Sequence, residues 1–172
     1  MLTTELKYLW QMTLLAVLQA TVFNHFHLLG LATPVITPLF LLLLPLNEGR
    51  TTTLLRAFAL GILTDYIGGT PGLNSAALVA TAMVRPALLT LFVPREHEDD
   101  FVPSYRTMGV RKHISLMIAV VLVHHTLYFA LESMNYFTRA TLLLSLGLSI
   151  AVSIVVMMAV DTMRDRKKLR ES

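Results

Sequence analysis

The sequence has no cysteine, a single tryptophan and few charges, only 15% of its 172 residues. Without cysteine there is no disulfide, thiolate nucleophile or Cys-type zinc site. The shortage of charge excludes more, because an ordinary soluble domain carries about a quarter charged residues. A surface this poor in charge would not stay wet. Asp, Glu, Lys and Arg are missing altogether from Tyr8 through Asn47, Tyr66 through Val84, His113 through Leu131 and Ala140 through Val160. Each stretch approaches or exceeds the ~20 residues that take a helix across a bilayer core. What is present instead is 55% hydrophobic residues, and the expectation is an all-α integral membrane protein. Six spans of ~20 residues use about 120, which leaves no room for a nucleotide-binding or protease domain, so any energy source has to come from partners. Glu5 beside Lys7, an overlong first apolar run and no A-x-A site argue against a cleaved signal peptide, with Met1 as the mature start.

Six apolar segments follow, at residues 8–29, 31–46, 54–67, 73–92, 114–131 and 141–160, in a single membrane domain with an internal loop at 93–112 and a basic tail at 161–172. The second and third are short, about 24 and 21 Å as helices against a hydrocarbon core of roughly 30 Å. Pro34, Pro38 and Pro45 also interrupt the second. These two are either short helices or a hairpin entering and leaving on one face. Parity is the same either way. With the N-terminus inside, Lys7, Arg50, Arg95, Arg106, Arg111, Lys112, Arg164, Arg166, Lys167, Lys168 and Arg170 lie on the cytoplasmic side and only Arg139 outside. That asymmetry predicts six transmembrane helices with both termini cytoplasmic, because five or seven crossings would destroy it.

Within the segments, Ala57, Gly61 and Asp65 recur every four residues and give the third one a small-residue face for close helix packing. Gly68, Gly69, Pro71 and Gly72 then make a tight connection into Leu73-Asn74. Asp65 either caps the fourth helix and bonds Asn74 or the backbone, or offers a polar contact to a partner or an ion. Ser145, Ser149 and Ser153 form a second small-residue face, against the bundle or another protein. Arg56 and Arg85 fall in the cytoplasmic half, where each can snorkel to headgroups; Arg85, beside Pro86, can also serve as a buried interhelical or headgroup anchor. His124 and His125 sit mid-segment, and His125, Phe129 and Glu132 share one stripe with Tyr128 at its edge. Imidazoles and carboxylates in line suit a proton relay or metal site, but adjacent histidines point ~100° apart on a helix, so interhelical hydrogen bonding is the simpler expectation. Asn24, His25 and His27 read as interfacial polar residues. Arg95, Glu96, Phe101 and Arg106 in the internal loop are either a docking epitope or a solvated turn on headgroups. The tail is explained by attraction to anionic lipid rather than nucleic acid. No phosphate-binding, nucleophile-elbow or zinc-protease motif occurs, and no cofactor is expected.

The Pro34-containing segment, Gly61-x-x-x-Asp65 and Gly72-Leu73-Asn74-Ser75-Ala76 resemble the rod shape-determining membrane protein family MreD, across essentially the whole chain. Pro94-Arg95-Glu96, Phe101-Val102-Pro103-Ser104 and His124-His125-Thr126 through Glu132 resemble one subgroup of it. The resemblance implies a six-helix fold like the S components of energy-coupling-factor transporters. It further implies a non-enzymatic inner-membrane scaffold of the bacterial cell-elongation machinery. Its implied partners are an MreC-like bitopic protein, MreB-like actin, RodA and a class B penicillin-binding protein. Only Pro34, Gly61, Asp65 and Gly72 map onto the general family pattern. The last two helices depart from it. In this reading the small-residue faces bind a partner helix. The rival from another class is a small-solute transport component of the S-component type, with Asp65, His125 and Glu132 in one external pocket; a third is a proton-relaying enzyme subunit working through His125.

Overall fold

The computed structural model describes residues 2–25, 33–93, 102–136 and 139–170. Every regular element among them is helical: α1 (Leu2–Thr21), α2 (Leu39–Leu43), α3 (Arg50–Gly68), α4 (Leu73–Phe92), α5 (Tyr105–Met108), α6 (Val110–Tyr136) and α7 (Arg139–Arg170), with a 3-10 turn at Phe23–His25. Among the described residues, three stretches are long and apolar enough to cross a membrane: Leu73–Phe92, Val110–Ser133 and Leu143–Arg164. Their faces away from the bundle carry bare apolar side chains such as Leu91, Leu122, Leu143 and Val155, as lipid contact requires.

The described part of the second apolar segment, residues 33–46, is not one continuous helix, which departs from the transmembrane helix expected there. It holds one five-residue helix, α2, between non-helical flanks. Proline explains the break. It lacks the N–H that a helix uses and pushes the preceding residue toward extended backbone. Leu44, just before Pro45, has φ −80° and ψ 144°. Yet this broken stretch is the centre of the molecule: Val35, Ile36 and every residue from Leu39 through Leu44 are buried. Phe40 packs edge-on against Tyr8 of α1, ring centroids 6.5 Å apart.

The third segment errs the other way. Arg50 and Thr51 through Thr53 wind into α3 and lengthen it to 19 residues, about 28 Å. α4 runs unbroken through Pro86, which stands on an exposed face.

Side-chain pairings fix the direction of each stretch. α1 and α3 run parallel, because Glu5 meets Arg56 near their starts and Asn24 meets Gly68 near their ends. α3 and α4 are antiparallel across Gly61 and Ser75. α6 runs against α4, with His124 beside Thr81 and Tyr128 and Phe129 clustered with Ala77. α7 runs against α6, joined by His125 to Ser153 and His113 to Asp161. Residues 33–45 descend opposite to α1, from the level of Gln19 toward Glu48 and Arg56. Successive long stretches therefore alternate in direction.

Of the loop at 93–112, residues 102–109 fold back under the bundle. Ser104 caps α5 by accepting the Thr107 N–H at 3.3 Å, Met108 enters the main core, and Gly109 turns the chain into α6 at φ 79°.

Candidate functional site

Several of the buried polar side chains converge on the broken stretch, which explains how such a segment is tolerated. A backbone without helical bonds leaves donors and acceptors that must be satisfied within the protein, and each one left bare in an apolar interior costs several kcal/mol. Four side chains from three helices supply the partners. Ser149 accepts the Thr33 N–H at 3.0 Å and Ser153 the Val35 N–H at 2.8 Å. Gln19 accepts the Ile36 N–H at 2.7 Å through Oε1 and donates from Nε2 to the Pro34 carbonyl at 3.1 Å. One amide thus does what a neighbouring strand would do. At the other end Arg85 donates from Nε to the Leu41 carbonyl at 2.9 Å, and from one terminal nitrogen to Leu44 at 2.8 Å and Pro45 at 3.0 Å. Those carbonyls are orphaned because α2 stops. The guanidinium is 4% exposed as a residue, so it is an internal anchor and does not snorkel.

His125 belongs to the same network. The Val121 carbonyl, 2.9 Å from Nδ1, can only accept, which places the proton on Nδ1 and leaves Nε2 to accept from the Ser153 hydroxyl at 2.8 Å. Ser153 then accepts from Val35 while donating to His125, so both functions of the hydroxyl are used. Phe129 stacks on the His125 ring at 6.5 Å. His124 turns the other way, toward α4. Thr81 donates to the Ala77 carbonyl at 2.7 Å, so its oxygen is left to accept from His124 Nδ1 over a long 3.5 Å. His124 Nε2 has no partner among the described residues. The two imidazoles thus serve different helix contacts, and no group of three metal-ligating side chains occurs among the described residues.

Asp65 is saturated by its own chain. Oδ1 accepts from Thr70 Oγ1 at 3.0 Å, the Asn74 N–H at 2.9 Å and Asn74 Nδ2 at 3.0 Å. Oδ2 accepts from the Ser75 N–H at 2.9 Å and its hydroxyl at 2.7 Å. The carboxylate caps α4 from the end of α3, satisfying two orphan N–H groups and complementing the helix dipole. The glycines make that approach feasible. Gly69 ends α3 at φ 67° and Gly72 starts α4 at φ 84°, both in the left-handed region that glycine adopts readily.

Both small-residue faces are closed within this chain, which corrects the expectation that they receive a partner helix. A Cβ on Gly61 would stand 2.3 Å from Ser75 Cα; Ala57 is fully buried on the same face. Ser145, Ser149 and Ser153 are buried too, the last two against residues 33–35.

Arg56 also departs from a snorkelling role. It contacts both oxygens of Glu5 at 2.7 and 2.8 Å, pairs with Glu48 at 2.8 Å and lies 4.4 Å over the Tyr8 ring. Glu132 is half-buried near the far end of α6. Pro34 is buried and enters the network through its carbonyl. Arg106 is exposed on α5, whereas Arg95, Glu96, Phe101 and His27 lie outside the described residues. Asn24 accepts from Gln19 at 2.9 Å.

Sequence reasoning missed Gln19 and the His113–Asp161 pair. Gln19 sits in an uncharged run, and a lone amide there looks unremarkable until the proline-broken segment is recognised as needing donors and acceptors. His113 Nε2 lies 2.6 Å from Asp161, with Arg164 on the other oxygen at 3.2 Å and the Tyr105 ring edge-on at 4.6 Å. The signal was available: each residue lies at the margin of an uncharged run, facing the other across an antiparallel pair.

The fold and the site define an all-helical chain with helices long and apolar enough for a membrane and polar side chains turned inward on a broken central segment. No protein-family model, curated protein or solved structure matches this chain.

Proposed function

We propose that this protein is a non-enzymatic scaffold in the bacterial inner membrane, serving cell elongation and peptidoglycan synthesis and pairing with an MreC-like bitopic protein, with MreB-like actin, RodA and a class B penicillin-binding protein as further partners. The sequence resemblance to MreD supplies the pathway and partners. The observation that carries the scaffold reading is that Gln19, Asp65, Arg85, His125, Ser149 and Ser153 spend their hydrogen bonds on the chain's own backbone and side chains. Such bonding stiffens a bundle. A rigid bundle presents fixed surfaces to other proteins.

The topology belongs to the same proposal: six alternating passes, the second through the broken segment, with both termini in the cytoplasm. It is supported by the gathering of Lys7, Arg50, Arg106, Arg111, Lys112 and Arg164 at one end of the bundle, as the positive-inside rule requires. With the small-residue faces closed, the surfaces left for partners are the outward helix faces and the α5 region around Arg106. The solute-carrier reading needs Asp65, His125 and Glu132 to share a pocket and has less support, since Asp65 and His125 are committed to separate internal partners.

The test is purification from native membranes in mild detergent with identification of what accompanies the chain. An MreC-like bitopic protein and wall-synthesis enzymes are expected. Recovery of an ATPase module without them would overturn the reading.

A further inference from the structure

The first turns of α1 carry a surface that the internal network leaves unused. Leu6 and Trp10 are each 68% exposed and Leu9 58%, and with Lys7 and Thr13 they line a shallow groove. The apolar stripe continues along the helix through Leu14 and Val17. Among the described residues that line this groove, Lys7 is the one cation. The nearby acids are engaged elsewhere: Glu5 and Glu48 hold Arg56, and among the described residues no carboxylate pairs with Lys7. The groove therefore combines an ammonium with no carboxylate partner among the described residues, an indole N–H and a bare apolar strip running away from both.

We infer that this groove is a binding site for one anionic phospholipid, its phosphate held by the Lys7 ammonium and the Trp10 indole N–H and one acyl chain lying along Leu9, Thr13 and Val17. Charge complementarity selects the occupant. Lys and Trp together match the headgroup level of a bilayer, where an aromatic ring straddles the interface and a lysine reaches anionic lipid. A partner helix fits less well, because close helix approach uses small residues and this stripe presents leucines and a tryptophan. The site rests on α1 crossing the bilayer with its first turn at the inner face.

Trp10 is the only tryptophan in the chain, so its fluorescence reports on this groove alone. The full chain is reconstituted into vesicles of phosphatidylcholine containing a fixed fraction of dibrominated lipid, with either a phosphatidylglycerol or a phosphatidylcholine headgroup. Brominated phosphatidylglycerol is expected to occupy the site roughly fivefold more readily, the ratio that one basic residue gives at an anionic surface, and Lys7→Gln should remove the preference while keeping the quenching. Equal quenching by both headgroups in the wild-type chain would overturn the site. Blue emission that neither lipid quenches would overturn it in favour of a protein on this face, and red, unquenched emission would remove α1 from the membrane. Headgroup preference and partner recovery are separate measurements, so either reading can fail alone.

Discussion

Gly61 is where a missing side chain holds two helices together. The α3–α4 contact brings Ser75 backbone to within 2.3 Å of where its Cβ would be, and backbone, unlike a flexible side-chain tip, cannot swing aside. Even Gly61→Ala should lower stability by about 1–3 kcal/mol through overpacking. The matched control is Gly147→Ala, where nothing lies within 4 Å and alanine's helix propensity should stabilise by up to about 1 kcal/mol. Thermal unfolding of the two variants in detergent checks the contrast; equal melting temperatures would deny that this glycine is a contact. Gly61→Leu should fail by loss of fold, with partner recovery and folded yield falling together. The four-residue spacing of Ala57, Gly61 and Asp65 made the packing face legible in the sequence. Which helix fills it was not, because a small-residue face is equally suited to a helix of the same chain or another.

At the scale of the element, the segment from Thr33 to Pro45 depends on others for its conformation. Helices satisfy their own backbone; this stretch borrows Gln19 and the serines at one end and Arg85 at the other. Gln19→Leu strands the Ile36 N–H and the Pro34 carbonyl, and Arg85→Met strands three carbonyls. Each group that finds no new partner should cost on the order of 1–3 kcal/mol. Arg85→Lys should recover only part, since an ammonium lacks the planar fork that serves three carbonyls at once. Because both ends hold one segment, the double variant Gln19→Leu with Arg85→Met should deviate from additivity by at least about 0.5 kcal/mol. Unfolding of the four proteins measures that coupling, and strict additivity would mean that the two ends are held independently. The prolines announced a break and the charge-free flanks announced burial. The identity of the partner side chains stayed hidden, because they lie 15 to 118 residues away in sequence.

For the whole molecule, alternation of direction places the connection between α3 and α4 at one end of the bundle and α5 at the other. The absence of cysteine makes that arrangement directly testable by single introduced cysteines. Pro71→Cys, at an exposed turn, should react with a membrane-impermeant maleimide on intact spheroplasts. Arg106→Cys should react only after permeabilisation. The reverse pattern would invert the proposed orientation, and labelling of both from outside would break the alternation. Composition and charge spacing determined by themselves that the chain is helical and apolar enough for lipid, and where most of its long elements lie, because those properties are local and every span must meet the same solvent. Only the tertiary structure decided that the second segment, broken around the short α2, lies in the core and is not one continuous helix. It alone turned Arg85 and Asp65 inward and closed the glycine and serine faces within the chain. Those outcomes depend on which distant groups meet in space, and a hydrogen-bond donor or a bare backbone carries no mark in sequence of the partner it will find.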